Sequence, residues 1–146
     1  MSNSAEQFVI TVGVTDRGDD AGELFRSVVR ARDRCALRGP RKTGTLSLVV
    51  VDNCGSAVER NALSAQIGAA RDAGLAVTCV RGGGLSIGEN RTRQVEIVRA
   101  AVECGAPAPK TIWMLDDDLR LDRLVMSEGR VRIQRDVDYF AELVRI

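Results

Sequence analysis

The chain contains no histidine. That absence removes the commonest general base near neutral pH, and with it the serine–histidine–aspartate triad and most zinc sites. Any chemistry has to run on carboxylates, metal ions and arginines. Cys35, Cys54, Cys79 and Cys104 stand singly, with no CxxC pair. They are expected as buried free thiols, Cys79 in an apolar strand pattern and Cys35 on the apolar side of a helix. No stretch reaches the roughly 18 consecutive apolar residues of a membrane span. The amino terminus, Met1-Ser-Asn-Ser-Ala-Glu6, is polar and unlike a signal peptide. A cytoplasmic protein without a membrane span is therefore expected. With a net charge of +1, no global field draws the chain to nucleic acid or to a membrane surface.

Two nucleotide-binding signatures are missing as well. The segment after the first apolar run is Thr15-Asp-Arg-Gly-Asp-Asp20, which is not GxGxxG, and no Walker A loop occurs. A nicotinamide enzyme and a P-loop enzyme are both disfavoured.

What is present is an alternation. At 146 residues, 45% apolar and 28% charged, the chain fits one soluble domain, residues 1–146. Phe8 to Val14 reads as a first strand. Asp20 with Glu23 resembles a capping box, and Leu24, Val28, Ala31 and Cys35 recur at helical spacing. Leu46 to Val51 is a near-continuous apolar run of the kind buried on both faces of a sheet. Ser56 with Glu59 opens a second helix with a Leu63, Ile67, Ala70 stripe, closed by Gly74. Leu75 to Val80 is a third strand. After Gly82-Gly-Gly84, Ser86 with Glu89 opens a third helix carrying Val95, Val98 and Val102. Thr111 to Leu115 reads as a buried fourth strand. Beyond it, Val131 and Ile133 alternate as a short strand does, and Asp136 caps a last helical pattern with Val137, Phe140, Ala141 and Val144.

This order predicts an α/β fold, a mostly parallel sheet of about four strands flanked by helices, with right-handed crossovers. In such sheets ligands bind beyond the carboxyl ends of the strands, near a switch in strand order. All four strand ends carry polar or glycine residues: Thr15 and Asp16, Asp52 and Asn53, Gly82 to Ser86, and Asp116 to Asp118. The last group is the most telling. Carboxylates are almost never buried unpaired, so three in a row at a strand end meet water, a cation or a ligand. On an extended backbone Asp116 and Asp118 share a face and can converge on one divalent ion, with Asp117 directed elsewhere. Asp52 can accept hydrogen bonds from a base or ribose, or simply build an Asp-Asn-Gly turn. The amides of the Gly83 to Arg91 segment can face phosphate or form a plain capped helix start. Arg93 reads as a surface residue, while Arg91 is left between surface and diphosphate.

Together these residues resemble the nucleotide-sugar-binding half of GT-A glycosyltransferases, especially the large family-2-like group. The carrying motifs are Val50-Val-Asp52-Asn53-Cys54-Gly55-Ser56, matching a VVDDGS-like strand end; Gly84-Leu-Ser86-Ile-Gly-Glu89-Asn90, matching a GxSxARN-like helix start; and Asp116-Asp117-Asp118, matching DxD. The match covers residues 8 to 122 and implies a Rossmann-like nucleotide-binding half. By that resemblance Thr15, Asp16, Asp52, Asn53, Ser86, Asn90 and Asp116 would line the site of a nucleoside-diphosphate sugar, UDP-type in the first instance. Asp116 and Asp118 would hold Mn²⁺ or Mg²⁺, which acts as a Lewis acid on the departing diphosphate. Two departures stand out. The family's arginine in the helix-start motif falls on Glu89. The acceptor half and the catalytic base lie C-terminal to DxD in the family, and little sequence follows Asp118 here. A truncated or compact member is expected, completed by an oligomer or by a missing C-terminal acceptor domain. Two other readings remain: a non-catalytic interaction domain that keeps the fold, and a metal-dependent nucleotidyltransferase.

Overall fold

A computed structural model describes residues 7–37, 45–119 and 123–134. The elements run β1 (Gln7–Val14), α1 (Gly18–Leu37), β2 (Thr45–Asp52), α2 (Ala57–Asp72), β3 (Ala76–Arg81), α3 (Ile87–Glu103), β4 (Thr111–Asp116), β5 (Arg123–Ser127) and β6 (Arg130–Gln134). β1 to β4 form one sheet in the order β3-β2-β1-β4, parallel throughout. The chain steps outward from β1 to β3 and then returns to the far side of β1. The strand order therefore reverses between β1 and β4, where ligands bind in doubly wound sheets.

Alternation along the strands assigns each face. Ile10, Val12, Val14, Leu48 and Val50 point into one core with Leu24, Phe25 and Val28 of α1 and Leu63 and Ile67 of α2. Trp113 and Leu115 pack against it from β4, and Phe8 stacks on Trp113 with ring centroids 5.4 Å apart. Complete burial of a Leu or Phe side chain contributes about 1.5–3 kcal/mol, so this layer carries most of the stability. The opposite face meets α3. There Thr11 is fully buried, and a Cβ on Gly13 would lie 2.1 Å from Asn90 Oδ1.

The helix ends follow their sequence signals. Ser86 and Glu89 form a complete capping box on α3. Gly74 and Gly105 adopt left-handed conformations just beyond α2 and α3. At each, the next amide reaches back five residues, Leu75 to Ala70 and Ala106 to Ala101, so the last carbonyls are satisfied as in a Schellman motif. β5 and β6 make an antiparallel hairpin whose central residues, Glu128 and Gly129, both have positive φ. That is the primed turn that matches strand twist.

Several expectations need correction. α1 begins at Gly18, so Asp20 lies in its first turn and Glu23 pairs with Arg26 instead of closing a box. Asp19 and Asp20 still favour that helix start through the dipole. At α2 Ser56 accepts from the Glu59 amide, but the Glu59 carboxylate takes the Gly18 amide. Among the described residues β4 is an edge strand, and its positions Ile112 and Met114 are 37% and 41% exposed, so it is not the buried strand its composition suggests. The buried stripe of α3 is Asn90, Gln94 and Val98, with Val95 exposed. Cys79 and Cys104 are exposed because β3 is the other edge and Cys104 lies beyond α3; only Cys54 is a buried thiol among the described cysteines. The Cys35 side chain and the pattern from Asp136 to Val144 lie outside the described residues.

Candidate functional site

The parallel sheet brings the four polar strand ends to one edge, and a hydrogen-bond lattice ties them together. Asn53, only 6% exposed, is its centre. The Asn53 amide nitrogen donates to Thr15 Oγ1 at 3.1 Å and to the Leu85 carbonyl at 2.9 Å. Its side-chain oxygen accepts from the Leu85 amide at 2.7 Å. Leu85 thus demands both an acceptor and a donor, which fixes the amide's orientation. The Asn53 backbone N–H donates to Val14 O at 2.8 Å. One side chain therefore joins the loops after β1, β2 and β3.

Around it the loops brace one another. Asp16 holds a positive φ of 52°, which aspartate tolerates better than most residues. Its Oδ1 accepts from the Gly55 amide at 2.8 Å. Asp52 Oδ1 accepts from the Cys54 amide at 3.0 Å, and Oδ2 takes Arg81 Nη1 at 3.3 Å. Cys54 is buried beneath this turn, and burial above all pushes its thiol up to about 11. It is a packing residue rather than a nucleophile at neutral pH. Ser86 Oγ is occupied by the Glu89 amide at 3.3 Å, while Glu89 Oε2 accepts from the Ser86 amide at 2.7 Å. The latter bond holds the exposed Glu89 carboxyl below its ordinary range. Asn90 Oδ1 accepts from Gln94 Nε2 at 2.9 Å in the seam between α3 and β1.

Asp116 stands apart from Asp117 and Asp118, because β4 ends at Asp116 and the chain then turns. Strand alternation does not extend to Asp118. Asp116 is 70% exposed and faces Arg91 at 3.9 Å. Asp118 is 58% exposed and accepts from Arg17 Nη1 at 3.3 Å. Asp117 is the inward one, 14% exposed, with the same Arg17 nitrogen at 3.8 Å and the Thr15 amide donating at 3.4 Å. Burial raises the Asp117 carboxyl above its usual range, partly offset by that amide and by Arg17. One guanidinium nitrogen thus bridges two acids across the reversal point, with the carboxylates on one side and the loop after β1 on the other. Among the described residues no three His, Cys, Asp or Glu side chains are arranged to enclose a metal ion. Any cation here would draw on phosphate oxygens as well as on Asp116 and Asp118.

All seven expected donor-site residues lie on this lattice or at its edge. Thr15 and Asp116 are exposed, Asp52 is recessed with both oxygens engaged, and Asn53 and Ser86 spend their side-chain polar atoms within the chain. Sequence reading passed over Arg17 and Arg81. Arg17 sits in the polar segment after β1, and Arg81 stands opposite Asp52 in the β2–β3 register. Strand pairing was the signal available for Arg81. For Arg17, only the reversal of strand order puts β1 beside β4. A separate groove of about 250 Å³ between α1 and α2, lined by Phe25, Val29, Gln66, Ala69 and Ala73, belongs to the helical layer and not to the strand ends.

Comparison with known protein families and with curated proteins gives no match. Among solved structures the chain is similar in fold to the crystal structure of S. aureus TarS, a glycosyltransferase, with a TM-score of 0.50 and 17% identity. That likeness covers 81% of this chain and 17% of TarS, so the chain spans a small part of that protein. The fold is α/β, a four-stranded parallel sheet flanked by helices and consistent with a Rossmann-like arrangement. Among the described residues no helix is long and apolar enough to cross a membrane.

Proposed function

We propose that this chain is a nucleotide-sugar-binding unit of a glycosyltransferase, taking a nucleoside-diphosphate sugar of the UDP type with Mn²⁺ or Mg²⁺. The observation that carries the reading is that four polar strand ends lie along the carboxyl edge of the sheet, beside the point where strand order reverses, the ligand position in doubly wound sheets. The fold likeness to a glycosyltransferase supports it. Asp52 and Thr15 serve the nucleoside, and Asp116 and Asp118 serve the metal-bound diphosphate. Asn53 acts by holding the loops that make these contacts, while Ser86 caps α3 and Asn90 sits in the seam between α3 and β1.

The two carboxylates are compatible with a divalent ion. Their partners are exposed guanidinium groups at 3.9 and 3.3 Å, and exposed pairs of this kind contribute only about 0–1 kcal/mol. A cation can displace them at small cost, and Arg17 and Arg91 are then released toward phosphate, which suits the guanidinium fork. When bound, the ion supplies neutralisation of charge on the departing diphosphate. Transfer itself needs a base and an acceptor surface, and neither is assigned to a residue of this chain. The second reading is a non-catalytic interaction domain that keeps the fold, favoured by guanidinium groups already neutralising the exposed acids.

Thermal unfolding across UDP, GDP, CDP and ADP, with and without Mn²⁺ or Mg²⁺, tests the proposal. A rise in midpoint that requires both nucleotide and metal is expected, and Asp118→Ala should abolish it while leaving the unliganded midpoint nearly unchanged. No metal-dependent rise with any nucleotide would defeat it.

A further inference from the structure

Arg81 ends β3 directly opposite Asp52. Its Nη1 donates to Asp52 Oδ2 at 3.3 Å and its Nη2 to the Cys54 carbonyl at 3.3 Å. Asp52 Oδ1 is engaged by the Cys54 amide at 3.0 Å. The carboxylate is thus fixed in orientation by its own turn and by the neighbouring strand. Asp52 is 15% exposed and Arg81 46% exposed, so the pair lies at the rim, with the carboxylate recessed and the guanidinium outward. A guanidinium has only donors, more of them than these two bonds use, and a carboxylate has only acceptors. Side by side they offer one fixed acceptor and one cationic donor. The complementary edge is an N–H adjacent to a C=O.

Among nucleotide bases, uracil and guanine carry that edge: a lactam N–H beside a carbonyl. Cytosine and adenine carry an amine beside an unprotonated ring nitrogen. An amine is a poorer donor to a carboxylate than a lactam N–H, and a ring nitrogen is a poorer acceptor for a guanidinium than a carbonyl.

We propose that Arg81 is a specificity-determining residue, and that the Asp52–Arg81 pair selects a lactam base over an amino base. The inference rests on the nucleotide-binding reading above. It adds a residue that the strand-end motifs do not contain, and it makes the β2–β3 register part of donor choice.

The test is calorimetric affinity for UDP, GDP, CDP and ADP in the presence of Mn²⁺, measured for the wild type, Arg81→Met and Arg81→Lys. The wild type should favour UDP or GDP over CDP and ADP by at least about tenfold, the scale of one charge-assisted hydrogen bond. Arg81→Met should lose most of that preference by weakening the lactam nucleotides alone, and Arg81→Lys should keep part of it. A residue that merely braced the loop would weaken all four nucleotides equally. That result, a wild type favouring CDP or ADP, or a methionine variant with unchanged selectivity would overturn the inference while leaving nucleotide binding standing. Failure of the wild type to bind any of the four would overturn both. Arg81 is half exposed on an edge strand, and circular dichroism of each variant confirms that selectivity is read on folded protein.

Discussion

Replacing Asn53 with alanine removes three side-chain hydrogen bonds, at 3.1, 2.9 and 2.7 Å. Each contributes about 0.5–1.5 kcal/mol net. Thr15 is exposed and its hydroxyl regains water, so its bond belongs at the low end. The Leu85 amide and carbonyl are half-buried, and their loss is felt more fully. The expected cost is about 2–3 kcal/mol, a fall in unfolding midpoint of roughly 6–12 °C for a domain of this size. Asn53→Asp is the sharper probe because it keeps the shape. It retains an acceptor for the Leu85 amide but turns an oxygen toward the Leu85 carbonyl, where a donor is needed. Its cost should approach that of alanine at neutral pH and shrink in acid, where a protonated carboxyl restores the donor. Urea unfolding monitored by circular dichroism measures both variants. A loss under about 1 kcal/mol for each would refute the view that Asn53 clamps the three loops, and would return it to the group of ligand-facing residues.

Two further outcomes follow from close packing and from charge. Gly13→Ala drives a Cβ against Asn90, with Oδ1 at 2.1 Å and Cγ at 2.5 Å, and Asn90 is held by Gln94. Overpacking of this kind costs about 1–3 kcal/mol, so chemical denaturation should show a loss in that range, and a neutral variant would mean that α3 rides loosely on β1. Asp117→Asn should raise stability at neutral pH, because burial lifts the Asp117 carboxyl in the folded chain. The folded state then binds more protons than the unfolded state, so stability falls as pH rises from the ordinary carboxylate range through the raised value. The asparagine variant should lose that dependence while keeping an acceptor for the Thr15 amide. An unchanged pH profile would show that Arg17 and the amide fully offset the burial.

The fold was legible wherever local chemistry carried it. The β1 and β2 runs are continuous and apolar, Ser86 and Glu89 announce the start of α3, and Gly74 marks the end of α2. Reading failed at edges. Ile112, Met114 and Cys79 look like core residues in sequence, yet whether a strand lies at an edge depends on strand order, which no local pattern encodes. α3 misled in a related way. Of its valines Val98 is buried as expected, but nearer the helix start the sheet presents Gly13 and Thr11, and Asn90 and Gln94 turn inward while Val95 is exposed. At the site, the strand ends were foreseeable from periodicity. The pairings of Arg17 with Asp117 and Asp118 were not, because they join residues about a hundred positions apart through the reversal between β1 and β4. The turn after Asp116 also broke the i, i+2 argument for a shared carboxylate face.

The central claim is that the carboxyl ends of the parallel strands form a nucleotide-diphosphate site. Amide chemical-shift mapping of the isotope-labelled chain, titrated with UDP and Mg²⁺, tests it most directly. Saturable shifts are predicted at Thr15 to Gly18, Asn53 to Ser56, Gly82 to Ser86 and Asp116 to Leu119, with the groove between α1 and α2 unmoved. Shifts centred on Phe25, Val29 and Ala69, or none at all at millimolar nucleotide, would contradict the account.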